Sequence, residues 1–241
     1  MHIVVIVAIV VVALLVWGAV NAHKAAVARR QALAALARRW GVRFVADVDR
    51  QPRRRFPGLS WFARGDDQWL SNTLGGAVAV DGREVRLCAG DFTYEETSTD
   101  SDGDRSTRTY NRSYLTLDLG LPTPDLAVRP EGFGDKVKAW FGFADIEFES
   151  AEFNRRFHVR CGDKKFAYDV CHARAQQWLL ASTWQSFELV DGVLLVPGNQ
   201  RWDPQDFVAA RTFAEALLRQ WPAFVWQDLA ARQAAGGGRE G

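Results

Sequence analysis

Apolar positions along this chain come first as an unbroken run and then as periods. Ile3 to Val20 is eighteen consecutive residues without a charge, and the indole of Trp17 is its only polar group. As a helix this run spans about 27 Å, against a bilayer core of about 30 Å. The pattern predicts a transmembrane anchor over 1–20. A cleaved signal peptide is the competing reading, with Val20-Asn21-Ala22 as the cleavage site and mature protein from His23. No Lys or Arg precedes the run, and the run is long for a signal, so the anchor is preferred. From Asn21 to Trp40 the spacing stays helical, with Val27, Leu33 and Leu36 on a narrow apolar side. This predicts a juxtamembrane helix over 21–40, either a rigid stalk or an interfacial or self-associating helix. Gly41 stops it.

Past Gly41 the period shortens. Val42 to Val48 reads as a strand, and Gln51 to Pro57 as a basic loop bracketed by prolines. Trp61 to Trp69 is irregular and aromatic. Ala77–Val80 and Arg83–Leu87 flank Asp81-Gly82, the turn pair that most strongly signals a hairpin. Asp91–Glu95 and Thr109–Leu119 are extended and flank Thr97–Arg108, a polar stretch expected to be a mobile loop. Leu121-Pro-Thr-Pro124 is a stiff crossing, Leu126–Val128 is a short strand, and Gly132–Phe141 reads as a helix. Pro204 to Trp221 is an amphipathic helix with Asp203 as cap and Pro204 at its first position. A short segment then runs to Arg232, and the tail 233–241 is expected to be disordered.

The densest patterning lies between Phe141 and Val196. Ile146 and Phe148 alternate with Asp145, Glu147 and Glu149, and Phe157, Val159 and Cys161 alternate with His158 and Arg160. Period 2 predicts two half-buried antiparallel strands. Ser150–Arg156 is expected to be the turn between them, with Asn154 supplying the unusual backbone conformation. Asp163 caps a helix expected from Lys164 to about Ala181, whose stripe is Ala167, Val170, Cys171, Ala175, Trp178 and Leu179. Phe187–Val190, Asp191-Gly192 and Val193–Val196 form a second Asp-Gly hairpin. Mixed helices and strands with hairpins prevailing predict an α+β fold with a mainly antiparallel sheet. The soluble domain covers 41–232.

The runs Asp145–Ser150, Phe153–Val159, Trp178–Leu180 and Val190–Leu195 resemble a family of uncharacterised bacterial membrane-anchored proteins. The similarity extends from about Arg39 to Trp226, through Leu119–Pro122 and Asn72–Gly75. Its most specific part is Glu149-Ser150 followed by Phe153-Asn154-Arg155. Cys171-His172-Ala173-Arg174 stands where that family has a more proline-rich segment. The resemblance implies an N-terminal membrane helix with one soluble domain, and no known activity.

Composition adds a location. Residues 21–55 carry ten Arg or Lys against two Asp, a net charge of +8. The whole chain is +1 and residues 1–20 carry none, so 56–241 sum to −7. A basic neck therefore joins the anchor to an acidic body. Lys24, Arg29, Arg30, Arg38 and Arg39 follow the apolar run, which places the C-terminal side in the cytoplasm and the N-terminus outside. The bilayer is the expected partner of residues 3–20, anionic lipid that of the neck, and a protein partner is possible. Arg outnumbers Lys 25 to 5, and Arg50–Arg55 is a basic cluster; both fit RNA, but a GC-rich genome and nearby lipid account for them, so no nucleic acid is expected. Three cysteines at irregular spacing make no disulfide framework.

No catalytic, cofactor or metal site is assigned. His158, Cys161, Cys171 and His172 are zinc-type ligands within fifteen residues, but strand and helix periods point them apart. Asp100, Asp102 and Asp104 alternate as in a calcium loop, yet Arg105 and Asn111 hold the positions that need Gly and Glu. Glu147, Glu149 and Glu152 are read as carboxylates on a wet strand face. Cys88 has no histidine near it in sequence, and Gly75-Gly76 precedes a strand rather than a phosphate-binding helix. The function expected is a cytoplasm-facing, non-enzymatic interaction domain on a single membrane span. The alternative is a tethered hydrolase using the acidic strand face.

Overall fold

The structure, a computed structural model, describes residues 2–130, 145–184 and 186–236. Its first element is one helix, α1 (His2–Trp40), which runs through anchor and stalk without a break. By length and composition it can cross a membrane, and its most apolar stretch is not buried against the protein. The stalk is not free-standing. Leu33, Leu36 and Ala37 are buried in the main core, so the end of α1 belongs to the folded body. Gly41, at φ 69°, ends it.

Next come β1 (Arg43–Val45), α2 (Pro52–Arg55) and a 3-10 turn, Ser60–Ala63. The basic segment 51–57 thus contains a one-turn helix instead of a loop; Pro52 at the first position needs no N–H and presets its φ. The long meander follows: β2 (Asp67–Val80), β3 (Arg83–Thr99) and β4 (Arg105–Asp118). Asp81 and Gly82 turn the first hairpin at φ 50° and 75°. The stretch 97–108, expected as a mobile loop, is instead a two-stranded ribbon with its turn at 100–104. Thr97 and Thr107 hydroxyls meet at 3.3 Å, and Tyr94 stacks on Tyr110. Thr and Tyr favour strands even in polar company.

β5 (Leu126–Pro130) precedes a gap in the description, and the helix expected over 132–141 lies outside the described residues. Ile146 and Phe148 are buried as expected, though the pairing with the neighbouring strand is a single bridge, Asp145 with Arg160, with the Ile146 N–H donating to the Val159 carbonyl at 2.9 Å. The expected turn at 150–156 is a helix, α3 (Ala151–Arg156), capped by Ser150 Oγ accepting from Phe153 N–H at 3.2 Å. Asn154 has no left-handed backbone. Its side chain donates to the Phe148 carbonyl at 2.7 Å and accepts from the Phe148 N–H at 3.0 Å, as a strand partner would. β6 (Phe157–Cys161) follows. The single helix expected over 164–181 is two, α4 (Lys164–Val170) and α5 (Ala173–Ala181). His172 breaks the run at ψ 167° and caps α5, its Nδ1 accepting from Ala175 N–H. β7 (Phe187–Val190) and β8 (Val193–Pro197) form the second Asp-Gly hairpin. α6 (Pro204–Gln220) has the expected cap, with Asp206 accepting from the Asp203 N–H at 2.9 Å. α7 (Ala223–Gly236) is longer than the short segment expected; the rest of the tail lies outside the described residues.

Among the described residues the eight strands make one sheet, ordered β1-β2-β3-β4-β8-β7-β5-β6, with every pairing antiparallel. The fold is α+β. Leu74, Leu87, Leu115, Leu117, Leu194 and Val196 share one face and pack with α1 and α6 in the main core. The opposite face holds a smaller aromatic core, where Phe56, Trp61, Phe62, Phe92 and Tyr114 stack edge to face. A bulge divides the faces correctly along β2. Asn72, at φ 52°, and Thr73 together oppose Gly90, so Leu70 and Leu74 reach opposite cores although both numbers are even. Gly90 has no side chain because a Cβ would lie 3.1 Å from the carbonyls of Ser71 and Asn72.

At the bulge, α1 is clamped to the sheet. Arg29 donates to both oxygens of Asp91, at 2.8 and 2.5 Å, and to the Trp202 carbonyl at 2.9 Å. Ser113 Oγ and Asn72 Nδ2 each donate to Asp91 at 2.9 Å. The Asp91 side chain is fully buried, with its acceptor sites all in use. Arg29 lies nine residues below Val20, about 13 Å along the helix.

Candidate functional site

The outer face of the sheet carries a cleft whose floor follows from strand register. One row across it is Arg43, Gly75, Cys88 and Thr116; the next is Ala77, Arg86, Asp118 and Val193. The chain from Asp47 to Phe56 forms the wall beside β1. The cleft encloses about 640 Å³, within the usual range for small-molecule sites. Its apolar lining comes from Val45, Val48, Phe56, Ala77 and Val193, with charges at intervals. Gly75 deepens it: a Cβ there would meet only the Leu87 carbonyl, at 3.7 Å.

Polar groups run from the wall into the floor. Arg55 Nη1 is 3.5 Å from Asp49, and its Nη2 is 3.3 Å from the Cys88 sulfur. Cys88 in turn lies 3.6 Å from the Tyr114 hydroxyl. Burial pushes the Cys88 thiol above its ordinary value, against the pull of Arg55. Burial also pushes the Tyr114 phenol well up. Both groups are therefore protonated at neutral pH, and Cys88 is a poor nucleophile. Burial opposes the charge on Arg55, but a guanidinium stays protonated in a protein, and Asp49 accepts from it.

The residues weighed from the sequence lie elsewhere, except three sets. Cys88, Gly75-Gly76 and Arg55 line the cleft; Arg50 and Arg53 do not, and bond Asp67 and Gln68 instead. His158 faces Asp145 at 3.0 Å, and His172 caps α5 while its Nε2 meets the Gln220 carbonyl at 2.9 Å. Cys161 donates to the Asp163 carbonyl, and Cys171 is buried; burial raises their thiols to about 11 and about 12. Among the described residues no three His, Cys, Asp or Glu side chains gather as a metal-ligand set. Asp100 shapes its own turn, accepting from the Asp102 and Asp104 N–H groups at 3.0 and 2.9 Å. Glu147 and Glu149 are exposed, and Glu152 lies in the first turn of α3 rather than on a strand face. Sequence reasoning missed Arg43 and Arg86. Their signal is parity, since both sit on the outer face by alternation, but only the strand register places them on either side of β2.

No family model and no curated protein matches the chain. Among solved structures it is similar to the mycobacterial trehalose monomycolate transport factor A, TtfA. The TM-score is 0.50 at 13% identity, covering 80% of this chain and 96% of that one. The likeness is one of fold.

Proposed function

We propose that this chain is a single-pass membrane protein whose body, on the cytoplasmic side, is a non-enzymatic interaction module. The observation that carries the reading is α1. One helix supplies an apolar stretch of membrane-spanning length and then enters the main core, held by Leu33, Leu36 and the buried Arg29–Asp91 clamp. An anchor attached in this way holds the body in a set orientation close to the bilayer, as a docking platform requires. The neck helps: Lys24, Arg30, Arg38 and Arg39 are exposed, and each basic residue near anionic lipid contributes about 1 kcal/mol. The one thiol lining the cleft is pushed up by burial and stays protonated, which favours binding over catalysis. The fold shared with a transport factor supports an accessory role of that kind, by analogy of fold alone.

Topology is tested by protease treatment of intact cells carrying a C-terminal tag. The tag is expected to survive until the membrane is opened, and its loss from outside would reverse the orientation. The module reading is tested by purification from membranes. A protein recovered with the full-length chain and lost with Asp91→Ala, while that variant stays in the membrane, supports it. Hydrolysis of ester or phosphate substrates by the pure full-length chain would replace it with the enzyme reading.

A further inference from the structure

The cleft on the outer face carries more charge than its own contacts use. Three carboxylates and three guanidiniums line it. Asp49 is occupied by Arg55 and by the Gln51 N–H at 2.8 Å. Asp118 accepts from the Gly120 N–H at 2.9 Å. Asp47 remains exposed. Against these, Arg43 and Arg86 have no ion-pair partner among the described residues. They stand two strands apart, roughly 10 Å, across Gly75 and Ala77, the two smallest side chains of the floor. An oxygen anion above that floor meets a guanidinium from each side. Beside it lie Val45 and Val48, an apolar wall next to Arg43. They are 37% and 55% exposed, so an apolar surface lies open beside the Arg43 guanidinium.

We propose that this cleft binds an anionic amphiphile: one hydrocarbon chain against Val45 and Val48, with its carboxylate or phosphate between Arg43 and Arg86. Charge and shape both select it. A neutral chain leaves two guanidiniums with water alone, and an anion without a chain leaves the valines bare. Arg55 does not hold the head, since Asp49 and Cys88 already engage it; it stiffens the wall. The site does not depend on which side of the bilayer the body occupies.

Cys88 provides the reporter, because it lines the cleft and is partly accessible whereas Cys161 and Cys171 are buried. Full-length protein in bilayer nanodiscs is alkylated with iodoacetamide in the presence of octanoate, octyl phosphate or neutral octanol. At least one anion is expected to slow labelling fivefold or more at concentrations where octanol does nothing. Protection by octanoate points to a fatty acid, and protection by octyl phosphate alone points to a phosphate lipid; either supports the site. Replacing both arginines, Arg43→Gln with Arg86→Gln, removes two charged hydrogen-bond donors and raises the half-protecting anion concentration about tenfold or more. Both side chains are exposed, so the fold is retained. The same anions raise the melting temperature of the parent and not of Gly75→Val, which fills the floor. Absence of protection by either anion overturns the proposal, as does equal protection by octanol that the double variant leaves unchanged.

Discussion

Removing the carboxylate of Asp91 tests whether the anchor and the body are one mechanical unit. Asp91 takes four hydrogen bonds in full burial: two from Arg29, one from Ser113 and one from Asn72. Asp91→Ala removes the acceptor of all four bonds and leaves Arg29, a charge 15% exposed, with only the Trp202 carbonyl and a long contact to Ser113. Breaking a buried pair from one side costs about 3–5 kcal/mol. A domain of this size has about 5–15 kcal/mol in total, so the variant loses a third or more of its stability in most of that range. At about 2–4 °C per kcal/mol, the melting temperature falls by about 6–20 °C. Arg29→Met removes the same pair from the other side and is expected to cost a similar amount. The two are not independent, so the double variant falls short of the sum by about 2–3 kcal/mol.

Melting of the full-length protein in nanodiscs reads the first quantity, and the double-mutant cycle reads the second. Trypsin reads the consequence for α1. Arg30 is exposed but lies on a helix held by its neighbour, so release of the clamp speeds cleavage there. A fall of less than about 2 °C for Asp91→Ala, or strict additivity of the two variants, would refute the account of how the anchor docks.

Three further outcomes follow from single residues. Gly192 turns the second hairpin at φ 78°, and a Cβ would sit 2.2 Å from the Leu121 carbonyl oxygen, whereas Gly82 at φ 75° has open space. Gly82→Ala therefore costs about 1 kcal/mol and Gly192→Ala clearly more, measured as denaturant midpoints. Asp163 caps α4 by accepting from the Phe166 N–H at 3.1 Å and also pairs with Arg232, which holds its carboxyl below the ordinary range. A lowered folded value stabilises above the unfolded one and is lost on acidification. Asp163→Ala thus costs about 1 kcal/mol at neutral pH, and its gap to the parent closes as the pH drops from about 4 through the lowered value. In native protein at pH 8, alkylation is expected at Cys88 alone, with Cys161 and Cys171 labelling only after denaturation; mass spectrometry of the labelled peptides checks it.

What the chain discloses by itself is what neighbours along it decide. The helical apolar run that begins α1, the Asp-Gly turns at 81–82 and 191–192, the Asp163 cap and the Asp203 start of α6 are interactions within a few residues, and as local structure each stands as read. Local composition misled where a polar run had a distant or side-chain partner: the Thr-rich ribbon pairs across its own turn, and Asn154 bonds to Phe148. The cleft and the clamp were out of reach for a different reason. Arg29 meets Asp91 across 62 residues, and the outer floor is completed where β1 pairs with β2, bringing 43–45 beside 73–75, and where β4 pairs with β8, bringing 114–118 beside 193–197. Those contacts are set by which sheet order buries both faces at once. That is a property of the whole packed chain, and no window of its sequence contains it.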